Sequence, residues 1–218
     1  MCNLYAVRHS AAEIAAHFGV AVPNVEVPAE TRPREPGLIV RGAGDRAVLQ
    51  SLSWGFPLPQ VHKVTKQPIN PKPVNLVANL TSPMWERIVT EPRYRCLIPV
   101  SEFAEPDGHR GAMTRTWLAV KSAPIVAWAG FCRNTESWGP VFAGMTTDSN
   151  PAVAPLNPRM PVLLDPEEYE RWLHGSIQDV IGFQFRPFPA ERLTKRVTDD
   201  LWVARERATP RVAQAAFL

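Results

Sequence analysis

With 218 residues, 45% of them hydrophobic, the chain is long enough to bury a sizeable core, and its 21% charged fraction excludes a disordered polymer. A formal net charge of +3 permits contact with phosphates, but falls short of the clustered basicity of a dedicated DNA-coating domain. Three cysteines, Cys2, Cys96 and Cys132, match neither a disulfide framework nor a zinc spacing. No metal and no cofactor are therefore expected, and a reducing cytoplasm is the expected setting. No run reaches the roughly 18 apolar residues of a membrane span, and no signal-peptide pattern is present, so neither membrane insertion nor secretion is expected.

In chain order, Ser10-Ala11-Ala12-Glu13 has capping-box spacing and predicts a short helix ending near Gly19. Pro23, Pro28, Pro33 and Pro36 predict an extended surface crossing over residues 22–36. Leu38–Arg41 and Ala47–Leu52, around Gly42-Ala43-Gly44-Asp45, predict a hairpin. Ser82-Pro83 predicts an N-cap and first-turn proline for a helix through Val89. The apolar runs Cys96–Val100, Trp117–Val120, Ile125–Cys132, Val141–Met145 and Met160–Leu164 predict buried strands. Asp165-Pro166-Glu167-Glu168 opens a helix expected to reach about Leu173. Twenty-three prolines spread along the chain fit a loop-rich fold. The expectation is one α+β domain over residues 1–218, mainly β, with a few peripheral helices.

Cys2 carries the most distinctive chemistry. Initiator methionine is normally removed before a small second residue, and removal would leave an α-amine and a thiol on one residue. The amine titrates near 8 and the thiol near 8.5, so both have a reactive form close to neutral pH. An aldehyde condenses with the amine to an imine, and the thiol then closes a five-membered thiazolidine.

Five blocks follow in register: Met1-Cys2-Asn3-Leu4-Tyr5; Trp54-Gly55-Phe56-Pro57; Asn79-Leu80-Thr81-Ser82-Pro83-Met84-Trp85; Arg95-Cys96-Leu97-Ile98-Pro99 with Phe103-Ala104-Glu105; and Arg159-Met160-Pro161-Val162-Leu163-Leu164. In this order they resemble the SOS-response-associated peptidase family, also called the abasic-site-processing family, from residue 2 to about residue 173. The resemblance implies a barrel-like mixed sheet with a DNA groove. It implies that Cys2 crosslinks to abasic sites in single-stranded DNA, the expected partner, and that Glu105 moves the proton. It further implies DNA contacts from Asn3, Thr147 and Arg159. Gly55 and Pro57 put Trp54 at a turn, where its ring is expected to line the groove and stack a base. A monomer is expected.

Two columns depart from the family pattern. The family's Asn-x-Arg triplet falls on Leu76 and Ala78 when counted back from Trp85, so its arginine is missing. Asn75 lies one residue away and Asn79 matches a second family asparagine; both are candidates for the site. The family's histidine before the Arg-Met-Pro run is Asn157 here, an amide that cannot titrate near neutral pH.

Other features have blander expectations. Cys96 and Cys132 should be core thiols, and Trp117, Trp128 and Trp172 core packing. His62-Lys63-Val64-Thr65-Lys66 should be a solvated loop. Arg32, Arg34, Arg41 and Arg46 would form a phosphate-tracking patch if the hairpin folds over them, although scattered surface arginines are the commoner outcome. Two other functions share these residues: a non-covalent single-stranded DNA-binding module with a degenerate site, and a cysteine peptidase whose nucleophile is N-terminal.

Overall fold

The computed structural model describes residues 2–43 and 46–203. Its elements run β1 (Tyr5–Ala6), α1 (Ala11–His17), β2 (Pro36–Ala43), β3 (Arg46–Trp54), β4 (Phe56–Val61), β5 (Pro68–Val74), β6 (Leu76–Val77), α2 (Glu86–Val89) and β7 (Arg95–Val100). Then follow β8 (Glu102–Asp107), β9 (Thr114–Val120), β10 (Val126–Thr135), β11 (Gly139–Asp148), β12 (Arg159–Pro161), β13 (Leu163–Leu164), α3 (Tyr169–His174), α4 (Ile177–Gln184) and β14 (Leu193–Leu201). The fold is mainly β with a few helices, in the expected α+β class.

The large sheet has the order β12-β11-β3-β2-β7-β10-β13, with β6 beside β11 and a further pairing of β11 with β10. That extra pairing returns the path to its start, so β11, β3, β2, β7 and β10 form a ring, which gives the barrel-like character. Trp54, Trp128 and Phe142 pack together on one face of it and are fully buried; Phe131 and Met145, on the alternate face of β10 and β11, are buried too, Phe131 against Trp172 of α3. A second sheet, β1-β8-β9-β14, lies alongside, and β4 with β5 makes a separate two-stranded ribbon.

Local chemistry explains several elements. Ser10 and Glu13 close a full capping box on α1, while Ile14 and Ala15 bury its inner face. The predicted hairpin is β2–β3, paired from Pro36↔Ser53 to Ala43↔Arg46; Gly44 and Asp45 of its tip lie outside the described residues. Gly144 sits opposite Gly130 across β10 and β11 because Trp128 fills the space above it. A Cβ on Gly144 would stand 2.1 Å from the indole.

One helix is shorter than expected. Ser82 does not cap an α-helix through Val89; α2 starts only at Glu86, with Trp85 at its N-cap. Asn79 Oδ1 takes the Thr81 N–H and hydroxyl, making a turn, and the Ser82 carbonyl accepts from Trp85 and Glu86 N–H. The chain turns here to drive Trp85 edge-on into Phe56, 4.9 Å between ring centroids. Among the described residues no helix is long and apolar enough to cross a membrane.

Candidate active site

The site forms where β1 meets β8. These strands pair antiparallel, Tyr5↔Phe103 and Ala6↔Glu102, and Ala104 N–H donates to the Leu4 carbonyl at 2.9 Å. Continuing that register sets Asn3 opposite Glu105. Phe103 and Glu105 point to the same side by strand alternation, so the carboxylate is delivered to the core side. Glu105 is fully buried there, and Cys2 is 1% exposed.

Burial is the main electrostatic force on both groups. It pushes the Cys2 thiol well above its ordinary value, and the neighbouring Glu105 charge pushes the same way. Burial also raises Glu105 to about 7, against a hydrogen bond from Asn157 that favours the charged form. A carboxylic acid titrating there can hold or release a proton at neutral pH, as general acid–base work requires.

Asn157 reaches Glu105 from the loop between β11 and β12. Its Nδ2 donates to Glu105 Oε2 at 2.8 Å, and its Oδ1 accepts the Arg159 backbone N–H at 3.1 Å. The loop is shaped by Asn150, whose Oδ1 accepts from Ala152 and Val153 N–H, and by the Ser149 N–H to the Pro158 carbonyl. Asn157 therefore stands beside Glu105, with both ends of its amide engaged.

Of the two candidate asparagines, Asn75 is the one joined to the N-terminal strand: its Nδ2 donates to Asn3 Oδ1 at 3.0 Å. Its backbone is fixed from both sides, since its carbonyl accepts from Gly144 N–H and Trp54 Nε1. Asn79 is exposed and spends its Oδ1 on the Thr81 turn, so it has no part in this group.

Three residues expected at the DNA surface sit differently. Trp54 is fully buried, stacked 6.3 Å from Phe142 and edge-on to Tyr5. It offers no face to a base, and the expectation that it lines the groove is corrected. The cause is tertiary: Trp54 ends β3, and its indole packs against Tyr5, Trp128 and Phe142 while its Nε1 donates to the Asn75 carbonyl. Arg159 is half-buried and stitches strands together, donating to the Thr146 carbonyl and hydroxyl, Asp148 Oδ1 and the Ala78 carbonyl. Thr147 is buried, and its hydroxyl has no hydrogen-bond partner among the described residues.

Three of the four arginines of the possible patch already have partners. Arg32 pairs with Glu30, Arg34 stacks on Trp138, and Arg41 bonds Gln50. Trp117, Trp128 and Trp172 are core residues as expected, and the 62–66 loop is exposed. Among the described residues no group of three or more His, Cys, Asp or Glu is arranged to hold a metal ion.

Comparison with known proteins bears on this arrangement. The family model for the SOS response associated peptidase (SRAP) matches residues 1–200. The chain belongs to the SRAP family. Membership ties it to the response to DNA damage. No curated protein matched. Among solved structures, a Bordetella bronchiseptica protein superposes with a TM-score of 0.74 at 21% identity, covering 90% of this SRAP chain and 99% of its own. A Bacteroides thetaiotaomicron protein gives 0.70 at 19%, covering 90% and 91%. A phage-related protein of B. bronchiseptica gives 0.67 at 17%, covering 90% and 94%. At these identities the likeness establishes a shared fold.

Proposed function

We propose that this SRAP protein captures abasic sites in single-stranded DNA by a covalent bond to Cys2, once Met1 has been removed. The ring-opened sugar presents an aldehyde. The Cys2 α-amine adds to it and loses water, giving an imine. The thiol then adds across the C=N bond, its proton passing to the nitrogen, and a thiazolidine results. No oxidant or reductant enters.

The observation that carries this reading is a buried carboxyl whose charge is felt by Cys2 and which a fixed amide holds by a hydrogen bond. Glu105 is held near neutral pKa beside Cys2, and Asn157 donates to it at 2.8 Å. In its charged form Glu105 takes a proton from the amine or thiol; in its neutral form it gives one to the departing water or to the sugar ring oxygen. Such proton transfer typically contributes about 10²–10⁴-fold. Asn3 and Asn75, bonded to one another, support the strand that carries Cys2.

The test is incubation with a single-stranded oligonucleotide bearing one abasic site, followed by a denaturing gel and intact mass. A covalent band with the mass of protein lacking Met1, plus DNA, minus one water, is expected. A shift on native gels alone would instead identify a non-covalent binding module, and cleavage of peptide substrates without DNA capture would identify a peptidase.

A further inference from the structure

Away from Cys2, the far end of β10 and β11 closes over two adjoining cavities. The larger, about 490 Å³, is walled by Arg41, Gln50, Arg93, Arg133 and Asn134. The smaller, about 210 Å³, shares Gly42 and Arg93 with it and adds Arg95 and His174. Among the described residues no Asp or Glu lines either one. Arg133 pairs with Val141 across the sheet, and Thr147 lies six residues further along β11. At about 3.3 Å per residue, the trough stands roughly 20 Å from the Cys2 end of that strand.

Arg95 is the telling residue. It is 1% exposed, yet among the described residues no carboxylate forms an ion pair with it. Its Nη1 donates to the Trp172 and Gly175 carbonyls, and its Nε has no hydrogen-bond partner. Asp179, the acid whose field it feels, is already bound by Arg171 at 2.6 Å. A buried guanidinium without a counter-charge is costly and calls for an anion. Around it Arg93 is already paired with Glu91 at 2.6 Å, but two further donors are under-used. Arg41 spends only Nε, on Gln50, and its terminal nitrogens are free among the described residues. Arg133 is exposed with no side-chain partner among them.

We propose that this trough is a second anion site of the protein, taking phosphate groups, with Arg41 and Arg133 binding the phosphate oxygens and Arg95 supplying the buried charge. Fork-shaped guanidinium donors match phosphate geometry, and several together suit more than one phosphate. The amides of Gln50 and Asn134 offer further contacts to whatever carries them. The same chemistry is offered by a free nucleotide or pyrophosphate and by the backbone of a DNA strand.

The experiment uses the full chain and the double variant Arg41→Gln/Arg133→Gln, whose side chains lie outside the core. Binding of pyrophosphate, of adenosine 5′-monophosphate and of an intact oligonucleotide of about 15 nucleotides is measured by calorimetry and by thermal shift. At least about a tenfold loss of affinity in the double variant is expected for one of these probes, with unchanged Cys2-dependent crosslinking. Loss confined to the small anions assigns a free phosphate ligand. Loss for the oligonucleotide, with a shallower salt dependence, assigns a DNA backbone. Equal affinity of native and variant protein for all three probes overturns the proposal.

Discussion

Asn157 Nδ2 donates to Glu105 Oε2 at 2.8 Å, and the backbone N–H of Arg159 donates to Asn157 Oδ1 at 3.1 Å. The second bond orients the amide, so the group facing Glu105 is a donor that cannot give up its proton. Asn157 thus acts through Glu105, by favouring its charged form.

Two substitutions follow from that relationship. Asn157→Ala removes a hydrogen bond to a charged group, so Glu105 should titrate higher and the pH profile of crosslink formation should move up by about 1–2 units. Asn157→His puts a titratable ring against Glu105 and should speed formation and release of the crosslink, within the roughly 10²–10⁴-fold that one acid–base group supplies. Rates measured from pH 5 to 9 on abasic oligonucleotide check both. Unchanged release in Asn157→His would remove residue 157 from proton transfer.

Glu105 also predicts a pH dependence of stability. Its folded pKa, about 7, stands above the ordinary carboxyl value of 4.5. The folded state therefore holds the proton more tightly than the unfolded chain. The associated stability is fully present below pH 4.5 and is lost as pH rises to 7 and beyond. Glu105→Gln, which stays neutral, should gain relative to the native protein across that window, by up to about 3 kcal/mol. Parallel denaturant melts of the two proteins from pH 4 to 8 measure the difference. A difference independent of pH would mean that Glu105 is not held protonated by burial. The same variant should crosslink far more slowly, separating its stability from its chemistry.

Much of this was legible in the sequence where one signal dominated. The apolar runs became β7, β9, β10 and β11 because buried strands need hydrophobic residues on both faces. Strands with mixed character were not legible: β8 carries Glu102, Glu105, Pro106 and Asp107, and β14 reads Leu193-Thr194-Lys195-Arg196-Val197-Thr198-Asp199-Asp200-Leu201. Besides its neighbour β9, β8 pairs with β1, and β14 pairs with β9, both far away in sequence. β5 holds Pro68, Pro71 and Pro73, tolerated because its ribbon pairs only with β4. The capping pair Ser176 and Asp179 is a readable start for α4, an element outside the expectations. At the site, the motif blocks named Cys2, Glu105 and Asn157, but no local pattern tells that Trp54 turns inward or that Arg95 is buried without a counter-ion. Both depend on what the ring of strands encloses.

The enclosed volume gives a stability test. Gly144 has no room for a methyl group, since Trp128 Cζ2 and Cε2 would lie 2.1 and 2.2 Å from its Cβ. Trp128 cannot easily move, because its Nε1 donates to the Met145 carbonyl at 2.6 Å and its ring meets Trp54 and Tyr5. Gly144→Ala should cost about 1–3 kcal/mol or more through overpacking. Thermal melting checks it, and an unchanged melting temperature would mean that the indole has another place to go.

The last prediction separates the two nucleophiles of Cys2. After Met1 removal, Cys2→Ala and Cys2→Ser both retain the α-amine and can form an imine with an abasic aldehyde. Neither has a thiol to close the thiazolidine. Imines hydrolyse, so these variants should yield a denaturation-stable band only when borohydride reduces the C=N bond. The native protein should give the band without reductant. Placing a bulky residue between Met1 and Cys2 blocks methionine removal; the thiol remains but the amine of Cys2 becomes an amide, and no stable band is expected with or without borohydride. Non-covalent DNA binding should persist in all three and weaken steeply with salt, because phosphate contacts release counterions. The measurement is the yield of covalent product for each protein, with and without reductant, alongside a binding titration at two salt concentrations. A reductant-independent band from Cys2→Ala would sink the thiazolidine mechanism and move the nucleophile to another residue.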